Sequence, residues 1–306
     1  VLALGIVAAV GASLLYNTSI ALQALEAREV SGEHSLRLSL IGKLARNKRW
    51  LGATALGLAG WPLEIAALLL APLTVVQPCL ASGLILLLWL GATRLGERPG
   101  RREFLAVAAI VAGVGGVAWA APERTTDHAG AAAVALALAI VALPVLAPYV
   151  LRARIRHSPH QGGVEIGSAR ALETLMVIGA GCGYAWTAIA SKLLTDELAA
   201  GAIVVAALWL GTAAASEGLA LLSEMSALQR RAATHVAPAM FAVQIIVPVL
   251  LAPLIFGESW AETPLDGVAL VAFMGLAVAG TALLAGSKAV GAVIDSAHRE
   301  PVSLDN

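Results

Sequence analysis

Charge is distributed along this chain in a way that leaves few folds open. From Leu51 to Thr93, a run of 43 residues, Glu64 is the only charged side chain. Comparable charge-poor runs recur, nine in all, at roughly 1–25, 51–70, 72–94, 104–121, 130–151, 171–191, 199–222, 232–256 and 266–286. A helix needs about 20 apolar residues to cross the hydrocarbon core of a bilayer. The runs are apolar all round, without the period-2 alternation of a membrane strand, so helices are expected and a barrel is not. Composition points the same way. Of 306 residues 59% are hydrophobic and 13% charged, against about 45–50% and about 25% in soluble chains. The expected fold is all-α and integral to a membrane, with about nine transmembrane helices. Residues 1–25 carry no charge and lack the basic region of a cleaved signal, so they read as a span. The split of the 43-residue run falls at Ala71-Pro72, because proline opens a helix more readily than it continues one.

The basic residues test this count. With the N-terminus outside and the C-terminus inside, eighteen of the twenty Lys and Arg fall in cytoplasmic segments, as the positive-inside rule requires. Dropping or adding one span would scramble that sorting. The expected location is therefore the cytoplasmic membrane, and the lipid bilayer is the first partner. A net charge of zero gives nucleic acid no electrostatic footprint. In the first basic segment, 26–50, Leu36, Leu40, Ile41 and Leu44 recur at helical spacing among Arg37, Lys43, Arg46 and Lys48. That pattern predicts a short helix lying in the headgroup layer.

Two halves are visible. Glu64, Thr74 and Pro78 follow an E-x9-T-x3-P spacing that recurs 160 residues later at Glu224, Thr234 and Pro238. Each set is followed by a span, a Gly-Glu pair (Gly96-Glu97, Gly257-Glu258) and a glycine-bearing last span. Recurrence in the same order indicates an internal repeat. The span count turns the second copy over relative to the first, an arrangement typical of secondary transporters. The divisions are 1–121 for the first repeat, 122–170 for a linking helix and loop, 171–287 for the second repeat and 288–306 for a cytoplasmic tail.

The stretches "ALLLAPLTVVQPCLASGLILLLWLGATRLGERPGRREFLAVAAIVAGVGGV" and "THVAPAMFAVQIIVPVLLAPLIFGESW" resemble the drug/metabolite transporter superfamily, EamA-like. In layout the chain is most similar to the NIPA-type magnesium transporter branch. The resemblance covers nearly the whole chain. It implies two inverted four-helix repeats, no enzymatic activity and alternating access. The substrate it implies is a small metabolite or amphiphile, with proton exchange as the common coupling, or Mg²⁺ in the alternative. The motifs concern helix packing and leave the substrate open.

Candidate residues follow from the cost of polarity in a span. An ionisable group there costs about 3 kcal/mol on insertion scales and so faces a cavity or a partner. Glu64, about eight residues from the outer turn, is expected to line an aqueous cavity between the halves and carry a coupling proton. It would be a ligand if the substrate is Mg²⁺, and a helix-locking hydrogen bond is its plainer role. Glu217 lies near the inner end of its span, where snorkelling would also account for it. Glu224 is expected at the inner mouth. Asn17, Gln77, Tyr184 and Gln244 could bind substrate or join helices. His235 is the only histidine within a span. Pro78, Pro238 and Pro248 are expected to break helices and free backbone carbonyls.

No Ser/His/Asp set, HExxH or phosphate loop is present, so an enzyme, a cofactor and ATP are not expected. Cys79 and Cys182 read as thiols in apolar runs, and His157-x-x-His160 has no partner to complete a metal site. Three functions remain: a proton-coupled transporter of a small molecule, a magnesium permease, or a non-transporting membrane scaffold in which Glu64 is paired in a dry seam. A homodimer is compatible with all three.

Overall fold

The computed structural model describes residues 2–70, 73–94, 99–120, 130–157, 165–256 and 260–285. Among these the chain is all-α. The helices are α1 (Leu2–Glu29), α2 (Leu38–Leu44), α3 (Lys48–Leu70), α4 (Leu73–Arg94), α5 (Arg101–Ala120), α6 (Ala131–His157), α7 (Glu165–Ala199), α8 (Ile203–Leu228), α9 (Ala233–Phe256) and α10 (Val268–Ala285). All but α2 have 18 residues or more, and they follow the order of the nine apolar runs. Ala71-Pro72, Gly96-Glu97, Gly257-Glu258, His160 and 288–306 lie outside the described residues.

Among the described residues six helices are long and apolar enough to cross a bilayer, namely α1 and α5 to α9, and shorter apolar helices run over Ser82–Arg94 and Val268–Thr281. Their packing shows what surrounds them. In α8 only 22% of the apolar window is buried, and Ile203, Val204 and Leu208 point outward at 67–76% exposure. In water an uncovered apolar band of that size would drive association. In hydrocarbon it is the surface a span must present. The architecture is that of a helical integral membrane protein.

Helix ends depart from the run limits. α7 has 35 residues, about 52 Å at 1.5 Å per residue, where hydropathy gave 171–191. α1 likewise continues through Glu26 and Arg28 to Glu29. Hydropathy marks where lipid can touch a helix, not where hydrogen bonding stops. Ala, Leu, Glu, Arg and Lys sustain a helix beyond the core.

The four long helices before α6 and the four after it pack in a similar way. α1 lies against α3 and α4, α7 lies against α8 and α9, and α5 crosses α10. The α5–α10 crossing is made by small residues. A Cβ on Gly113 would sit 2.6 Å from the Ala277 backbone nitrogen, and one on Gly280 would sit 2.7 Å from the Ala106 carbonyl oxygen. Gly116 leaves room for the Phe273 ring, which meets Trp119 edge-on with centroids 6.2 Å apart. Such small-residue crossings are how helices gain van der Waals contact without a hydrophobic driving force.

Two expectations are corrected. Segment 26–50 does form a short helix at 38–44, but its apolar face turns inward. Leu36, Leu40 and Leu44 are buried in the core that also holds Met225 and Leu228 of α8. Leu36 adopts a left-handed backbone (φ 53°) and its N–H donates to Ser226 Oγ at 2.7 Å. Gln229 Nε2 donates to the Val30 carbonyl at 2.9 Å. The end of α8 thus provides the apolar surface that lipid was expected to provide. The prolines do not break their helices either. Pro238 and Pro248 lie inside an unbroken α9, and Pro78 lies within α4. Span helices absorb proline because neighbouring groups satisfy the freed carbonyl and no water competes for it.

Candidate functional site

The tyrosines mark the polar interior. The chain has three, and each reaches across to a facing helix. α1 and α3 run antiparallel, and Gly60 leaves space for the Tyr16 ring, since a Cβ there would be 2.8 Å from Tyr16 Cε1. One turn further along α3, Tyr16 Oη donates to Glu64 Oε2 at 2.6 Å. Further along the pair, Ser19 Oγ donates to the Ala53 carbonyl at 2.7 Å and Gln23 Nε2 to Thr54 Oγ1 at 3.1 Å.

α7 and α8 repeat this. Gly183 meets Ala220, where a Cβ would be 2.8 Å from the alanine Cβ. One turn beyond Ala220, Glu224 Oε2 accepts from Tyr184 Oη. Ser216 Oγ donates to the Gly183 carbonyl at 2.7 Å. The third tyrosine, Tyr149 of α6, donates to the Leu219 carbonyl at 3.0 Å and lies 3.0 Å from Ser223 Oγ. A phenol buried in a span needs such a partner. Tyr16 and Tyr149 were missed in the sequence. Their rarity and their place in uncharged runs were the available signal.

The two carboxylates differ in surroundings. Glu64 is half-buried. Glu224 is 3% exposed and its Oε1 is buried with no hydrogen-bond partner. It was expected at the inner mouth; the structure encloses it instead, because α7 lies along α8 to its last turns. The hydrogen bond held by each pair comes from a neutral donor. A carboxylate held in that way can gain or lose a proton without breaking an ion pair.

Comparison with known protein families, with curated proteins and with solved structures found no match. The reading of the site therefore rests on its own geometry.

The other candidates are scattered. Asn17 is buried; its Nδ2 donates to the Ser13 carbonyl at 2.9 Å, its Oδ1 has no partner, and it packs against Gly83 of α4. Ser13 Oγ donates to the Leu80 carbonyl, so this cluster joins α1 to α4. Beside it a groove of about 490 Å³ opens on the flank, lined by Val10, Ser13, Leu14, Gly83, Ile85 and Trp89 among others. Glu64 is not among its lining residues. Glu217 is exposed on α8 and Gln244 half-buried on α9, while His235 is buried in the first turn of α9. The Gln77 side chain lies outside the described residues. Among those residues no group of three or more His, Cys, Asp or Glu is arranged to hold a metal ion. Cys79 and Cys182 are free thiols.

Proposed function

We propose that the protein is a secondary transporter of the drug/metabolite transporter type. On this reading helices α1, α3, α4 and α5 form one half and α7 to α10 an inverted second half, with α6 between them. The halves move a small metabolite or amphiphile by alternating access, and Glu64 carries the coupling proton. The observation that carries the reading is a tyrosine–glutamate bond between the facing helices of both pairs, Tyr16–Glu64 and Tyr184–Glu224. A repeated ionisable pair within spans is costly to maintain for packing alone. It is also what two halves that handle protons in turn would need.

The test is reconstitution into vesicles with a preset pH gradient and an entrapped pH dye. Amino acids, other metabolites and amphiphilic cations are added one at a time. A substrate should dissipate the gradient. Glu64→Gln should remove that response while exchange of labelled substrate at equal pH persists, since a neutral amide mimics the protonated acid. A magnesium permease predicts Mg²⁺ flux that weakens in Glu64→Gln and depends little on pH. A scaffold predicts no flux with any solute, and a Glu64→Gln protein altered only in thermal stability. Topology is tested independently: a cysteine in the 152–170 loop should react with an impermeant thiol reagent only from the cytoplasmic side, and one in 122–129 only from outside.

A further inference from the structure

We infer that Glu224 is an enclosed proton-binding site, the protected counterpart of a water-accessible Glu64. The inference concerns access and protonation, and it stands whether or not the chain transports.

Three observations converge on it. Glu224 is 3% exposed. One oxygen accepts from Tyr184, and the other is buried with nothing to bond to. In a low-dielectric interior an ionised carboxylate with a bare oxygen is among the most costly arrangements. Placing a hydrogen on Oε1 replaces a buried charge with a buried hydroxyl, which costs far less. The Tyr184 bond to Oε2 survives the change, so proton gain and loss need no rearrangement of the pair. The proton comes from water when the packing around Oε1 opens and returns to water on release, leaving the carboxylate held by Tyr184.

The elements packed on α8 are α1, α2, α6, α7 and α9. α7 contributes Tyr184 itself and α6 contributes Tyr149, by way of Ser223. α9 carries His235 in its first turn, and α8 carries Glu217 two turns before Glu224. The other ionisable groups on these helices among the described side chains are Tyr16, Glu26, Arg28 and Glu29 of α1, Lys43 of α2, Arg152 and Arg154 of α6, and Arg170, Glu173, Cys182 and Glu197 of α7. Of all these, Tyr184 holds the hydrogen bond to Glu224. In the matching pair Glu64 makes the same bond while only partly buried. The difference is therefore one of enclosure, not of bonding.

Carbodiimides report this directly, because they modify a carboxyl in its protonated form. The full chain is reconstituted in phosphatidylcholine vesicles and treated across a pH series with an apolar carbodiimide or a water-soluble one. Adducts are located by peptide mass spectrometry. The apolar reagent should modify Glu224, with yield falling roughly tenfold per pH unit above its midpoint. The water-soluble reagent should modify Glu64 and spare Glu224. Tyr184→Phe should move the Glu224 midpoint and leave the Glu64 profile in place. The wild-type measurements do not depend on any variant folding. No Glu224 adduct at any pH, or a yield that does not vary with pH, overturns the proton site. Equal modification of Glu64 and Glu224 by the water-soluble reagent overturns the enclosure. Loss of gradient-driven flux in the transport assay would leave these labelling results unchanged, so the two readings fail separately.

Discussion

The α1–α3 and α7–α8 pairs make the same bond in different surroundings. Each joins a tyrosine of one helix to a glutamate of the next, one turn beyond a small residue at the crossing. Each adds a buried serine that donates to a carbonyl of the facing helix at 2.7 Å. They differ in what the crossing residue meets. Gly60 faces the edge of a tyrosine ring, whereas Gly183 faces Ala220 Cβ and, at 3.2 Å, its Cα. A ring on a single side chain can swing aside, and a backbone cannot. The lesson is that a repeated polar contact can be kept while its enclosure is set by the apolar residues around it.

The largest effect that would test this contrast comes from adding bulk at the crossings. Gly183→Val should cost about 3 kcal/mol, at the upper end of overpacking penalties, and Gly60→Val about 1 kcal/mol. Unfolding in mixed micelles, followed by loss of helical circular dichroism, measures both. Equal losses would mean that the two crossings are equally rigid and that enclosure has no energetic counterpart.

A middle effect is expected from the phenols. Tyr184→Phe leaves Glu224 buried without its donor and should cost about 2 kcal/mol, while Tyr16→Phe exposes Glu64 to whatever reaches its open side and should cost about 0.5–1 kcal/mol. A Tyr16→Phe loss as large as that of Tyr184→Phe would place Glu64 in an environment as closed as that of Glu224.

The smallest effect is a control on the comparison. Ser19 and Ser216 are 4% and 5% exposed and donate over the same distance, so Ser19→Ala and Ser216→Ala should each cost about 0.6 kcal/mol, the mean for hydrogen bonds between membrane helices. A clear difference between them would show that the pairs diverge beyond the neighbourhood of the carboxylates.

Much of the fold was legible because lipid acts on composition. A run such as 130–151, with no charge, has one stable form in hydrocarbon, and among the described residues the long helices follow the runs in order. The ends were not legible, since Glu165 to Arg170 and Glu26 to Glu29 continue their helices by propensity and packing, which hydropathy does not sense. Segment 26–50 was misread for a related reason. A row of leucines at helical spacing signals an apolar neighbour but does not say whether that neighbour is lipid or Met225 and Leu228. At the site, Glu64 was found as the lone charge in its apolar run, Glu224 through the repeat spacing and Tyr184 as a polar group in a span. Their pairing was not visible, because Tyr16 and Glu64 are 48 residues apart and the tyrosines fall outside the recurring E-x9-T-x3-P pattern. The enclosure of Glu224 depends on how far α7 runs beside α8, which is a matter of helix length rather than of any motif.

The glycine seam between α5 and α10 has a mechanical consequence. Gly113 and Gly280 bring backbone to within touching distance of backbone, and main chain at van der Waals contact neither compresses nor yields sideways as a side chain does. Relative movement of the helices before and after α6 would therefore leave this line nearly still and grow with distance from it. A seam of this kind works as a fulcrum: small rolling displacements at the glycines become larger ones at the far ends of the arms, and lengthening a single glycine to leucine would jam the lever without touching either carboxylate.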